Sequence, residues 1–104
     1  MAGNSVNDLI HRIRVLASTH GYAIGVHGSL ERDVDLIAVP WIRHTSTADE
    51  LAASVARALG STVRQRCERV HGRVGYVVNI PGGGLPSYID LSVISPRTPG
   101  GQDD

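Results

Sequence analysis

Two segments of the sequence repeat their apolar residues with the 3.6-residue period of an amphipathic helix, and a glycine follows each of them. The first covers residues 5–19 and precedes Gly21. The second begins at the capping box Thr47-Ala48-Asp49-Glu50, whose hydroxyl and glutamate satisfy backbone donors reciprocally, and it stops at Gly60. The sequence therefore predicts two helices, and most of the remaining apolar residues must lie in strands.

Four short apolar runs indicate those strands, because turn-forming or polar residues bound each of them. The segment 81–86, PGGGLP, can only be a turn, whereas the Arg-rich segment 61–73 is compatible with a short strand or a loop. The order helix, strand, strand, helix, strand, strand predicts an α+β fold in which two helices cover one face of a mainly antiparallel or mixed sheet. The four predicted strands are Tyr22–His27, Asp33–Pro40, Val74–Ile80 and Tyr88–Ile94.

The length of 104 residues predicts one small domain. We assign it residues 1–95 and expect the tail 96–104, rich in proline and glycine, to be disordered. No apolar run approaches the roughly 18 residues that a membrane span requires, so no membrane contact is expected. The single Cys67 excludes an intrachain disulfide and indicates a reducing, cytoplasmic setting.

The charged residues narrow the chemistry further. Ten acidic and ten basic residues give a formal net charge of zero, so the net charge does not predict binding to nucleic acid. All ten basic residues are arginine, which excludes mechanisms that need a P-loop lysine or a lysine Schiff base. The planar guanidinium of arginine can still bind phosphate. We expect a solvated surface, or alternatively a nucleotide- or nucleic-acid-binding patch, from Arg64, Arg66, Arg69 and Arg73.

Two aspartates stand where a strand enters the core. Because side chains alternate along a strand, Asp33 and Asp35 point to the same face. A third acid, Asp90, lies among apolar neighbours in the last predicted strand. Like charges that approach one another repel, and a hard cation such as magnesium is the usual reason to keep carboxylates together. The alternative is a solvated strand start for the first two and a single ion pair for Asp90.

A Gly-Ser pair precedes the first two acids. If the first two strands form a hairpin, Gly28 and Ser29 lie at the same end of the sheet as Asp33. A glycine lets a phosphate approach the backbone, and a serine adds a hydroxyl donor. Arg32, within the same stretch, could also contact phosphate. A phosphate-binding turn beside an acid pair is suited to two-metal phosphoryl or nucleotidyl transfer.

The stretch HGSLERDVDLIAVPW, together with the later Asp90, resembles the polymerase-beta-like nucleotidyltransferase superfamily, and in particular its compact, phage-type minimal members. The resemblance covers most of residues 5–95 in element order, and specific residues match only at 28–39 and 88–94. It implies a minimal nucleotidyltransferase-like fold. It also implies that Gly28 and Ser29 bind the triphosphate, and that three acids bind two magnesium ions, or manganese in their place: Asp33, Asp35 and Asp90.

The resemblance implies magnesium-dependent transfer of a nucleoside monophosphate from a nucleoside triphosphate to a hydroxyl, with pyrophosphate released and Asp90 helping to activate the hydroxyl. Protein, RNA and a small molecule remain open as acceptors, and a partner protein or a homodimer could complete the site. Only Leu30, Glu31 and Arg32 separate Gly-Ser from Asp-x-Asp, whereas the family usually has nine or more residues there. This spacing favours the alternative, a non-catalytic module of the same fold that binds nucleotide or metal. A third hypothesis is an interaction protein whose acids form surface ion pairs.

Overall fold

A computed structural model describes residues 5–95 and has the predicted α+β architecture. Residues 1–4 and the predicted tail 96–104 lie outside the described residues. A short 3-10 turn, Val70–Gly72, connects the third and fourth strands. In chain order the elements are α1 (Val6–Thr19), β1 (Tyr22–His27), β2 (Asp33–Pro40), α2 (Ala48–Ala58), β3 (Val63–Glu68), β4 (Arg73–Asn79) and β5 (Tyr88–Ile94).

The five strands form one mixed sheet in the order β1-β2-β5-β4-β3. The only parallel neighbours in this sheet are β2 and β5, and every other neighbouring pair is antiparallel. The hairpin expected between β1 and β2 is present, and it pairs His27 with Asp35. The parallel pairing sets Asp33 opposite Tyr88 and Asp35 opposite Asp90. This register brings the end of the first hairpin and the last strand together.

Both helices pack on one face of the sheet, as predicted. Alternate residues of the central strands are completely buried there, among them Val34 of β2 and Leu91 of β5. They belong to the same core cluster as Ile13 of α1 and Leu51 of α2. The opposite face carries the other set of alternating side chains, including Asp35 and Ile37 of β2, and these remain partly exposed. We call this second surface the open face.

Side-chain caps fix the start of each helix. The Ser5 hydroxyl accepts the backbone N–H of Asp8 at 3.1 Å, which begins α1. The predicted capping box at α2 is confirmed: Thr47 Oγ1 accepts the Glu50 N–H at 3.1 Å, and Glu50 Oε1 accepts the Thr47 N–H at 2.9 Å. No helix of residues 5–95 is long and apolar enough to cross a membrane.

The Arg-rich segment that sequence patterning leaves open contains the edge strand β3. Its residues are almost all exposed, so hydrophobic periodicity carries no signal for it. Pairing with β4 makes it a strand. Beside this edge, Tyr76 Oη donates to Asp49 Oδ1, and Arg66 Nε donates to the same oxygen at 2.8 Å. These contacts tie the edge of the sheet to the first turn of α2.

Candidate functional site

The three predicted acidic residues lie on the open face, on two adjacent strands. Asp33 and Asp35 are alternate residues of β2, and Asp90 is the parallel partner of Asp35 on β5. Paired residues of neighbouring strands point to the same side of the sheet, so Asp35 and Asp90 are side by side. All three carboxylates are partly buried. The structure thus brings the acids of two distant segments onto one surface.

The Gly-Ser turn also reaches this surface. Gly28 has a φ of +89°, a region that favours glycine, and a Cβ there would lie 3.0 Å from Oδ2 of Asp35. The close approach explains why a glycine suits this position better than a residue with a side chain. It also means that the backbone of the turn lies against the Asp35 carboxylate. Ser29 is exposed, and its hydroxyl accepts the backbone N–H of Glu31 at 3.3 Å.

The residues between Ser29 and Asp33 make a tight turn rather than a helical one. Leu30 has a φ of +66°, which is unfavourable for a leucine, but its side chain packs against the core. The Arg32 carbonyl accepts the backbone N–H of Ser87 at 2.9 Å, which ties this turn to the start of β5. Within residues 5–95 the exposed side chain of Arg32 has no hydrogen bond or ion pair, so its role toward phosphate stays a prediction.

The carboxylates influence one another. Burial raises the pKa of the Asp35 carboxyl, and repulsion from Asp33 and Asp90 adds to that rise, while nearby His27 opposes it. The negative charge of Asp33 is also the main reason that the pKa of Tyr88 is raised. Both shifts show that negative charge accumulates on this part of the open face, which is the condition that a cation would relieve.

A magnesium ion fits the chemistry of these donors, since all three are carboxylates and magnesium prefers oxygen ligands. The side chains do not form a ready-made cage: among residues 5–95, no group of three or more His, Cys, Asp or Glu side chains is arranged to hold a metal ion. Asp33, Asp35 and Asp90 are the residues that would hold such an ion. Magnesium remains the cofactor that the donor set suits.

Comparison with known proteins adds no family assignment. No protein-family model matches the sequence, and a search of the curated proteins finds no significant match. Functional conclusions therefore depend on the geometry of the chain itself.

Several residues that sequence reasoning did not place in the site also lie near the acids. Arg69 Nη2 lies 3.8 Å from Asp90 Oδ1, with both side chains about one-third exposed, so the pair is a weak surface contact. His27 is the β1 neighbour of Asp35. Ser92 and Tyr88 flank Asp90 at alternate positions of β5. Strand alternation could have found these two from the sequence, whereas Arg69 required the tertiary structure.

Proposed function

We propose that the open face catalyses magnesium-dependent transfer of a nucleoside monophosphate from a nucleoside triphosphate to a hydroxyl. The observation that carries the proposal is the pairing of Asp35 with Asp90 beside Gly28. It joins a turn whose backbone can approach phosphate to carboxylates on two adjacent strands. Placing these like charges side by side does not stabilise the fold, so a structural role does not explain the pairing.

In this proposal each group has a separate task. The backbone at Gly28 and the hydroxyl of Ser29 bind the triphosphate. Asp33 and Asp35 would hold the magnesium ions, which would supply neutralisation of negative charge during the transfer. Asp90 accepts the proton of the acceptor hydroxyl. The acceptor oxygen then forms a bond to the α-phosphorus, the bond from that phosphorus to the bridging oxygen breaks, and pyrophosphate leaves.

Pyrophosphate release is the direct test. The purified protein is incubated with magnesium and each of the common nucleoside triphosphates, with candidate proteins, RNA and small hydroxyl compounds as acceptors. Asp35→Asn should abolish release, because one ligand charge is lost, and Asp8→Asn on the surface of α1 is the matched control. Equal release by the parent protein and Asp35→Asn would refute the assignment.

The second candidate is a non-catalytic module that binds nucleotide or metal at the same place. The tight turn favours it, because Ser29 already accepts the Glu31 N–H and only three residues separate Ser29 from Asp33. Calorimetry would then detect binding of the magnesium–nucleotide complex without pyrophosphate release under any condition tested.

Setting and partners belong to the same proposal. The exposed, free thiol of Cys67 suits a reducing compartment, and we place the protein in the cytoplasm. A partner protein or a second copy of the chain would supply the groups that hold the base and the acceptor if 104 residues prove too few to do so.

A further inference from the structure

The open face carries a cavity of about 270 Å³ that is acidic at one end and basic at the other. The guanidinium of Arg69 lies over Gly75 and 3.8 Å from Asp90 Oδ1, whereas Asp35 and Asp90 line the acidic end and Arg73 lines the basic end. Between these ends the floor contains Ser92 of β5, whose neighbour on β4 is Gly75. Arg73 is paired with Ile94, which lies two steps of alternate residues, each about 7 Å, beyond Asp90 along β5. The cavity thus extends beyond the acids that the proposed function uses.

Ser92 contributes a buried, unsatisfied polar atom to this floor. The residue is only 7% exposed, and within residues 5–95 its Oγ has no hydrogen-bond partner. Buried hydroxyl groups are almost always paired, because an unpaired one loses its hydrogen bonds to water and gains none in return. Its partners on the adjoining strands, Ile37 and Gly75, have no polar side-chain atoms with which the Ser92 hydroxyl could pair. The Ser92 hydroxyl is therefore a candidate hydrogen-bonding group for a molecule in this cavity.

Arg69 covers this floor. A Cβ added to Gly75 would lie 2.6 Å from Arg69 Cζ, so the guanidinium lies directly over that glycine in this conformation. The Arg69 backbone N–H donates to the Arg73 carbonyl at 2.7 Å, which keeps both arginines on one turn. The contact of Arg69 with Asp90 is long and partly exposed, so the side chain can leave that carboxylate at little cost.

We propose that the basic end of this cavity binds a phosphate monoester, and that this phosphate belongs to the acceptor whose hydroxyl reaches Asp90. Arg69 and Arg73 hold the phosphate oxygens through their planar forks. When Arg69 turns toward the phosphate it uncovers Ser92 Oγ, which then donates to the ligand. Asp90 is released from Arg69 at the same time and becomes free to accept the proton.

The size of the cavity favours a small acceptor. A space of about 270 Å³ is slightly below the usual range of ligand pockets, which suits a ligand no larger than a sugar phosphate. The role of the bound molecule as acceptor rests on the proposed function, whereas phosphate binding by the arginine pair does not. Binding and the acceptor role are therefore tested separately.

Phosphate binding is tested first, without magnesium or nucleoside triphosphate. The probes are inorganic phosphate, ribose 5-phosphate and, as a control, ribose, and the measurement is the dissociation constant from calorimetry or NMR titration. Both phosphate probes should bind and ribose should not. Arg73→Gln should raise the dissociation constant for ribose 5-phosphate by about tenfold, since a hydrogen bond to a charged group is lost. Arg43→Gln, in the loop after β2, is the charge-matched control and should bind as the parent does.

Ser92→Ala separates a ligand-binding hydroxyl from a structural one. The substitution removes an unsatisfied buried oxygen, so the melting temperature of the ligand-free protein should stay the same or rise. Affinity for ribose 5-phosphate should fall by about fivefold. A parent protein that binds neither phosphate probe, or variants at Arg73 and Ser92 that bind as tightly as the parent, would overturn the site.

The acceptor assignment is tested by pyrophosphate release with magnesium and a nucleoside triphosphate. Ribose 5-phosphate should raise the rate above that with ribose, and Arg73→Gln should remove the difference. Release that occurs with other hydroxyl compounds but never responds to the phosphorylated one would refute the acceptor and leave the proposed function intact. Arg73→Gln could lower the affinity for the magnesium–nucleotide complex as much as it lowers the affinity for ribose 5-phosphate. That result would mean that the arginines bind the triphosphate and that the acceptor assignment is wrong. A complete absence of release refutes the proposed function, and the acceptor assignment with it, while the phosphate-binding result stands on its own titration.

Discussion

Asp35 of β2 and Asp90 of β5 are paired residues on neighbouring parallel strands, 55 positions apart in the sequence. Strand pairing places the two carboxylates on the open face at the one point where the sheet is parallel. Repulsion from Asp90 and Asp33 contributes to the raised pKa of Asp35. The arrangement disfavours the charged form of Asp35 when no cation is bound, and the first three predictions below concern it or its surroundings.

The first prediction concerns Asp35→Asn without metal. Because the folded-state pKa of Asp35 is raised above 3.8, its charged form destabilises the fold at neutral pH. The variant should therefore have a higher melting temperature than the parent at pH 7. The advantage should shrink as the pH falls through the raised pKa and vanish below about 3.8, where the parent is protonated in both states. A variant that melts well below the parent at pH 7 would indicate that Asp35 is held by a structural ion pair.

The second prediction adds the ligand. Magnesium with a nucleoside triphosphate at 100 times its dissociation constant should stabilise the parent by about 2.7 kcal/mol, a rise on the order of 10 °C in melting temperature. Asp35→Asn should lose most of this shift, because a ligand stabilises only as far as it binds the folded state. Magnesium alone and nucleotide with a chelator are the controls. Identical shifts in the two proteins would exclude Asp35 as a metal ligand.

The third prediction concerns Gly28. Gly28→Ala should destabilise the protein, both because φ is +89° and because the new Cβ would approach Asp35 Oδ2 to 3.0 Å. Gly83→Ala is the matched control, with a φ of +75° and open space around it, and should cost about 1 kcal/mol from backbone strain alone. Denaturant unfolding should show a larger loss for Gly28→Ala. The excess should disappear in an Asp35→Ala background, and an excess that persists would contradict the proposed contact.

The fourth prediction concerns the capping box of α2. Thr47→Ala removes the acceptor for the Glu50 N–H and should lower the free energy of unfolding by about 1 kcal/mol. Thr62→Ala, in the exposed loop before β3, should change it little. Urea unfolding of the three proteins is the measurement, and equal midpoints for all of them would show that the cap contributes nothing.

The fifth prediction concerns Asp49, which should show the opposite pH dependence to Asp35. Hydrogen bonds from Tyr76 and Arg66 lower the pKa of the Asp49 carboxyl below 3.8. Asp49 therefore stabilises the fold above pH 3.8, and that stability should be lost as the pH falls through the lowered pKa. Tyr76→Phe should reduce the stability at pH 7 and flatten the acid dependence. Parallel acid-unfolding curves for Tyr76→Phe and the parent would show that this hydrogen bond does not control the carboxyl.

The helices and most of the strands were predictable because their signals are local. Apolar spacing, the capping box at Thr47 and the glycine that follows each helix depend on residues only a few positions apart. Alternation along β2 is equally local, and it already placed Asp33 and Asp35 on one face. The edge strand β3 could not be predicted with the same clarity because its side chains are almost all exposed. It is a strand because it pairs with β4.

The sequence by itself determined the element order, the acid pair and the nearby Gly-Ser turn, all of which follow from short-range stereochemistry and burial. Only the tertiary structure decided that β5 pairs with β2 in parallel, and so brings Asp90 beside Asp35. It also decided that Arg69 lies over Gly75 and that Ser92 Oγ has no hydrogen-bond partner among residues 5–95. Those facts depend on the register of non-adjacent strands. Register is set by how the whole core packs under the two helices, and no short stretch of sequence carries that information.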